Sequence, residues 1–491
     1  MALTQVHAAG VKDDAVTAAK IADGAINHTP MLHNDVINGD KIADDVINSE
    51  HYVAGSIDHE HLADDCVDGD NIADNSVGLA AMAHGTDGNL ITFDASGAPA
   101  YVATGNDGQV LTSAGAGAAP AFETISTTDT LPFRNLAING AMNVNQRGNF
   151  TGVTTGQYGG PDRIKFDYGS LGTWSISQTA DAPDNTGLKN CYHIACTTAD
   201  TSVAAGNMLA IQHIMENSNL HRMEAGTSDA KTWAIQFWIK SNKTGTYMAE
   251  LYRLAQGGTA RQISQTFTIS SADTWEKKTM TFAGDTNAGG VMSDDNGAGM
   301  QFNIWVAAGT NFTSGSLATS WTNYDNTKRM AGLTNNLADS TSNYLKFTGL
   351  QIEEGSTHTS FEHKSYGDEL AACQRYFWMA AYGNEAAAGN GGSGLSPICT
   401  AAQHTTTEAY GVVRFPCRMR AAPSIYKVES SNYWAVFLNQ TCDSCDTISI
   451  NRCSTTAATI GVSGNLSTTE DQACWIATFD SSARLGFQAE L

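Results

Sequence analysis

Apolar residues recur along the first eighty positions at a spacing that belongs to neither regular secondary structure. Val6, Val11, Val16, Ile21, Ile26, Met31 and Val36 lie five apart. One residue is then inserted, and Ile37, Ile42, Ile47, Tyr52, Ile57, Leu62, Val67, Ile72, Val77 and Met82 keep the same interval. A helix repeats every 3.6 residues and a strand every two, so the pattern predicts a chain of short turns. Asp, Asn, Gly and Ser fill the gaps, which leaves each pentad one core side chain and one polar turn. A lone run of pentads has too little apolar surface to offset an ordering entropy of about 1–2 kcal/mol per residue. Two arrangements repair the deficit: the chain coils on itself as a solenoid, or several chains wind around a shared apolar axis. The single-chain pentapeptide β-helix sets Ala and then Asp or Asn before its central apolar residue. Here Ala43-Asp44 follows Ile42. The multi-chain shaft is therefore expected over 1–83, with Ile42, Ile47, Tyr52, Ile57, Leu62, Val67 and Ile72 in its core.

Between 84 and 130 a longer repeat takes over. Gly85-Thr-Asp-Gly-Asn-Leu-Ile-Thr-Phe93, ending in Pro99-Ala-Tyr101, is echoed by Gly105-Asn-Asp-Gly-Gln-Val-Leu-Thr112, ending in Pro120-Ala-Phe122. Each copy reads as an Asp-Gly turn, an apolar strand, a Gly/Ala turn, then a proline and an aromatic, suited to a neck. From 131 to 366 apolar and polar residues alternate in short runs separated by Gly, Asn, Asp and Ser. Trp233-Ala-Ile-Gln-Phe-Trp-Ile-Lys240 and Tyr344-Leu-Lys-Phe-Thr-Gly-Leu-Gln-Ile352 are the clearest. The expectation is an antiparallel β-sandwich of jelly-roll type. Ser365-Tyr-Gly-Asp368 has the form of a helix N-cap, and a final β-rich unit is expected over 367–491, also a sandwich. The fold class is thus mainly β: a stalk, a sandwich and a terminal sandwich.

Charge is uneven. The chain carries −23 overall, and residues 1–130 hold twenty Asp and Glu against three Lys, a net of −17. Such a polyanion is a poor partner for nucleic acid or an anionic membrane. No basic and apolar leader opens the sequence and no run of eighteen apolar residues occurs, so cytoplasmic synthesis without membrane insertion is expected. Ten cysteines in 491 residues are too few for a disulfide scaffold.

Catalytic chemistry is weakly represented. Glycan cleavage needs paired carboxylates roughly 5–10 Å apart. Asp162, Asp167, Glu353 and Glu354 are the candidates, but Glu353 and Glu354 fall on opposite faces of one strand, and Asp162 reads equally well as a turn residue pairing with Arg163. Esterase, zinc-protease and P-loop signatures are absent. Cys442-Asp-Ser-Cys445 lacks the second CxxC that would make a zinc site, which leaves ordinary thiols or a later disulfide. His59 and His61 sit two apart, and threefold symmetry would multiply their nitrogens into a set suited to a transition metal, although polar turns also accommodate histidine. The Asp-rich turns read as solubilising, with weak divalent-cation binding as the alternative. No cofactor is expected. For sugar binding, exposed aromatic rings matter, and Tyr410, Tyr433 and Trp434 in the last unit are the candidates, each with a core or subunit-interface role as its rival.

A resemblance joins these segments. Arg134-Asn-Leu-Ala-Ile-Asn-Gly-Ala-Met-Asn-Val-Asn-Gln-Arg-Gly148 resembles the opening of a sandwich module common in bacteriophage tail fibres. Thr348-Gly-Leu-Gln-Ile-Glu-Glu-Gly-Ser356, continuing through Phe361 to Tyr376, resembles its end. Asp162-Arg-Ile is similar to an early element of that module, with Ile164 where an aromatic is usual. Phe415-Pro-Cys-Arg-Met-Arg-Ala-Ala-Pro-Ser424 is similar to a stretch in the host-facing domain of such fibres. The resemblance implies a homotrimeric virion fibre. Its N-terminal region would meet phage tail or baseplate proteins, and its C-terminal unit would bind a host surface glycan or outer-membrane receptor without covalent chemistry. The rival readings are a tailspike-type polysaccharide depolymerase and a purely structural virion fibre.

Overall fold

The computed structural model describes residues 17, 42–43, 46–58, 60–64, 66–73, 76–77, 86–124, 132–254, 258–383, 396–438, 441–467 and 469–491. The chain divides into two compact units, Met1–Ile125 and Ser126–Leu491.

In the first unit the five-residue interval is a backbone repeat. The N–H groups of Val46, His51, Ser56, His61, Cys66, Asn71 and Ser76 each donate to the carbonyl three residues back, at 2.9–3.2 Å. Every second turn is capped by a side chain: Asn48, Asp58 and Asp68 accept from the N–H two residues on, at 3.1, 3.1 and 3.0 Å. The pentads are therefore halves of a ten-residue repeat. Short Asx side chains favour such turns because they reach their own backbone two residues on. The apolar positions stay outside: Ile47, Tyr52, Ile57, Leu62, Val67 and Ile72 are 41–52% exposed, and Ile42 is half-buried. The pentads before Ile42 lie outside the described residues.

Each longer repeat is an antiparallel hairpin, Leu90–Phe93 with Pro99–Val102 and Gln109–Thr112 with Ala121–Thr124. Gly88 and Gly108 occupy the same place in the two copies, both at φ +81°, where a side chain would be strained.

The second unit opens with a two-layer sandwich. One sheet has seven strands in the spatial order Thr322–Asn323, Arg261–Ile269, Gly245–Arg253, Ala298–Ala308, Met208–Glu216, Ile164–Gly169, Gln157–Tyr158. The other has six: Glu276–Phe282, Trp233–Ser241, Tyr344–Glu354, Cys191–Thr198, Thr173–Thr179, Phe150–Val153. Inward residues alternate along these strands, as in Ile235, Phe237 and Ile239, all fully buried. Phe237 lies at the centre, 5.4, 5.8 and 5.5 Å from the rings of Phe267, Phe302 and Phe347. The two segments that carry the fibre resemblance meet here: Leu136 N–H donates to Ile352 and Leu350 N–H to Gly140.

A helix, Tyr366–Gln374, follows; the Ser365 hydroxyl caps it by accepting from Asp368 N–H at 3.2 Å. It leads to a second pair of sheets. Three strands run in the order Phe377–Tyr382, Arg484–Gln488, Ser424–Val428. Seven run in the order Thr441–Cys445, Trp434–Leu438, Ala473–Thr478, Pro397–Thr405, Glu408–Arg414, Ala457–Ser463, Thr447–Cys453.

A buried polar seam ties this second pair to the sandwich. Arg375 grips Glu216 through Nε and Nη2 at 3.1 and 2.5 Å, and Tyr376 donates to the same carboxylate at 2.6 Å. Arg147 and Arg163 both pair with Glu490, and their guanidinium groups lie 3.5 and 3.6 Å from the ring centres of Phe377 and Tyr376. The expected partner of Asp162 is thereby corrected. Arg163 turns to Glu490, while Asp162 accepts from the backbone and side chain of Gln146 at 3.0 and 2.6 Å. Burial lifts the Asp162 carboxyl to about 6, against the pull of nearby Arg147.

Candidate functional site

The seven-stranded sheet of the terminal region packs one face on Val436, Ile476, Ile460 and Val413, all buried. Its other face carries a row set by register. Phe437 pairs with Trp475, and Trp475 with Thr400; one strand further, Val412 pairs with Thr459. Phe437 and Trp475 stack at 4.0 Å with an interplanar angle of 14°. Trp475 is 37% and Val412 53% exposed. One strand over from Trp475, beyond its pairing partner Thr400, lies a shallow depression of about 340 Å³ lined by Thr400, Ala401, Ala402, Tyr410, Gly411, Val412 and Thr459. Small side chains on the Pro397–Thr405 strand open it. Gly461 deepens its edge, since a Cβ there would come within 2.5 Å of the Tyr410 ring.

Tyr410 is held in place rather than free. Its ring lies 4.9 Å from that of His404, and its hydroxyl donates to Glu408 at 2.9 Å, a carboxylate that pushes the phenol upward in pKa. Tyr433 lies elsewhere. Its carbonyl accepts from Phe479, whereas Tyr410 is in register through Ala402 with Ala473. Six residues along one strand separate the two by ~20 Å, so the structure does not bring them together.

Trp434 requires a correction. The indole is fully buried in the terminal core and its Nε1 donates to Glu429 at 3.3 Å. It cannot meet a sugar from there. The reason is strand parity: Trp434 and Val436 share the inner face, while Phe437 turns outward. The surrounding loop is a tight turn, with Asn432 at φ +60° and its N–H donating to Asp446 at 2.8 Å. Trp475 and Phe437 are the rings that reading the sequence missed. The alternation in Cys474-Trp-Ile-Ala, with Cys474 and Ile476 buried on either side of an exposed tryptophan, was the available signal.

The carboxylate candidates lie in other settings. Glu353 is buried, accepts from Thr359 N–H and Oγ1 at 2.9 and 2.6 Å, and lies 3.7 Å from Arg134. Glu354 is exposed at the strand end. Asp167 sits on the sandwich sheet, and burial raises its pKa. His61 Nδ1 lies 2.7 Å from Asp58 Oδ1, so the ring belongs to the local turn; His59 lies outside the described residues. Among the described residues no group of three or more His, Cys, Asp or Glu side chains is arranged to hold a metal. All ten cysteines are free thiols, and burial pushes Cys399 and Cys445 up to about 12, which keeps them protonated and unreactive.

No family model matches the chain, and no curated protein matches it in sequence. Distant likenesses exist among solved structures. The enzymatically active domain of tailspike protein 4 from bacteriophage CBA120 aligns at 12% identity and a TM-score of 0.24, over 46% of this chain and 22% of that one. A family 11 carbohydrate-binding module from Clostridium thermocellum, in complex with a β-1,3-1,4-mixed-linked tetrasaccharide, aligns at 10% identity and a TM-score of 0.21, over 43% of this chain and all of the module. A xylan-binding CBM22 domain from Paenibacillus barcinonensis aligns at 10% identity and 0.22, over 44% and 97%.

Proposed function

We propose that the chain is a non-catalytic fibre adhesin of the bacteriophage type. It works as a homotrimer whose 1–83 segment forms the stalk and attaches to the tail, and whose 367–491 unit binds a host-surface glycan. The observation that carries the glycan reading is the outer face of the terminal seven-stranded sheet. There the Phe437–Trp475 stack shares the face with a depression on the neighbouring strands, floored by short side chains and lined by Tyr410 and Thr400. Sugar C–H faces pack on aromatic rings, and hydroxyls and carboxylates beside them take the sugar's polar groups. A depression of 340 Å³ is at the small end for a ligand site, which suits one or two sugar units. Three weak sites on one fibre gain avidity by raising effective concentration.

The trimer reading rests on the exposed pentad residues. Apolar side chains every five residues, each over two-fifths exposed in one chain from Ile47 to Ile72, are what a shared axis would bury. The stalk's excess of acid then keeps fibres apart in solution.

The test is adsorption of the full-length protein to permissive cells and binding to an array of bacterial surface polysaccharides. Trp475→Ala is expected to abolish both while leaving the melting temperature within a degree or two. Adsorption undiminished by that change would overturn the proposed site. Release of reducing ends from the bound polysaccharide would replace the adhesin with a depolymerase.

A further inference from the structure

A second recess lies where the terminal region meets the sandwich, and its chemistry differs from the sheet face. Its floor is the three-stranded sheet. Tyr382 pairs with Arg484, and Arg484 with Val428, so these three side chains share one face. Two residues along, Tyr426 pairs with Gly486, where a Cβ would come within 2.9 Å of the Phe377 ring. Glycine lets Phe377 lie across the strand, and Tyr426 meets that ring edge-on at 5.4 Å. The opposite wall is the 147–150 segment of the sandwich, with Ser481 and Ser482 at the rim. The recess measures about 740 Å³ and its lining contains two arginines and no carboxylate.

Arg147 and Arg484 meet the recess differently. Its side chain is 2% exposed, and neither of its Nη atoms makes a hydrogen bond within the protein. Glu490 lies 3.1 Å from Nη1, but that carboxylate is shared with Arg163. Arg484 donates to the carbonyls of Ser481 and Ala483 and stacks 5.3 Å from the Tyr382 ring. Among the described residues it has no carboxylate partner. The Tyr426 phenol lies within the field of both cations, which offsets part of the burial penalty on its ionised form. Arg147 has Glu490 as its counter-ion and its Nη atoms are closed off from solvent, so Arg484 is the cation that the recess leaves open to an anion, with the charge of Arg147 acting from beneath.

We infer that this recess binds an oxyanion carried on a sugar, a uronic-acid carboxylate or a sugar phosphate, with the anion on Arg484 and the sugar ring against Tyr382 and Tyr426. Guanidinium forks match both anions, and charge-assisted hydrogen bonds are about twice as strong as neutral ones. The inference rests on the glycan-binding reading but uses different residues, so the two fail separately.

Titration calorimetry of the full-length protein with trigalacturonate, glucose 6-phosphate, maltotriose and inorganic phosphate tests it. Trigalacturonate and glucose 6-phosphate are expected to bind, both weakening with added salt, and maltotriose and inorganic phosphate to bind at least about tenfold more weakly. Arg484→Gln should cost about tenfold for both sugar anions, and Trp475→Ala should change neither. Should Arg484→Gln fail to fold, Ser482→Glu at the exposed rim is expected to weaken the same two probes by repulsion. Four results overturn the inference: no binding of either sugar anion, equal binding of maltotriose, equal binding of free phosphate, or a loss that follows Trp475→Ala and ignores Arg484→Gln or Ser482→Glu. The last would leave the sheet face as the glycan site.

Discussion

Residues 42–77 and the sandwich spend the same apolar side chains in opposite ways. Ile57, Leu62 and Ile72 are 45%, 44% and 41% exposed, whereas Ile235, Ile304 and Leu345 are fully buried. The difference is geometric. A strand puts alternate residues on one face, and sheet pairing then assembles those faces into a wall that another wall can cover. A turn every five residues presents its apolar groups singly, with no neighbouring strand to extend them into a face. In the proposed trimer the cover for these groups comes from the partner chains. The sandwich buries its own apolar faces; the described repeat leaves its apolar groups exposed.

The largest expected effect attacks that contrast at the repeat. Ile57→Asp would place three charges on the proposed shared axis, each costing several kcal/mol to desolvate. Light scattering should then show loss of the trimer, three times 51.9 kDa, while the melting of the 126–491 unit stays unchanged. In a monomeric repeat the same change would be nearly neutral, and an unchanged mass would remove the shared axis.

Next comes the self-sufficient side. Phe237→Ala removes the ring at the centre of the sandwich and should cost ~3–5 kcal/mol, seen as a lowered urea midpoint of the second unit with the oligomeric mass retained.

A pH effect of roughly similar size separates the two regions again. Burial holds His213 down to about 3 and His193 down to about 4. Both stay neutral in the folded unit while the unfolded chain takes up protons below about 6.5. Stability is therefore full above that pH and falls as pH drops from 6.5 towards 4, by roughly 3 kcal/mol for His213 alone. Asp162 works in the opposite sense: lifted to about 6, it opposes folding above that pH and relieves the strain as it protonates. Urea melts of His213→Gln should show a flatter acid limb than the wild type. An unchanged limb would mean that His213 is not held neutral. The smallest effect is at the exposed sheet face, where Val412→Thr should shift stability by less than ~0.5 kcal/mol.

Legibility in the sequence tracked locality. The Ser365 cap is visible because the hydroxyl and the N–H it accepts from are three residues apart. The Asp-Gly hairpins are visible for the same reason. The ten-residue periodicity is just as local, since the residue that opens each turn alternates between Ala43, Val53, Ala63 or Ala73 and Asn48, Asp58 or Asp68, but the regular apolar interval of five masks it. The aromatic site was misjudged at Trp434 and missed at Trp475. Both lie in strands whose composition is equally apolar, and only the packing of the other sheet tells which parity faces inward.

By itself, the sequence determined the β-rich class, the five-residue turn interval, the paired hairpins, the helix start at Ser365 and the concentration of negative charge in the first 130 residues. Each of these depends on residues within a few positions of one another, or on simple counting. Tertiary structure alone decided that Arg163 abandons its neighbour Asp162 for Glu490, 327 residues away. It also decided that Trp475 faces out while Trp434 faces in, and that Arg147 packs on Phe377 beside Glu490. Those outcomes depend on which surfaces meet, and partners hundreds of residues apart leave no mark on local pattern.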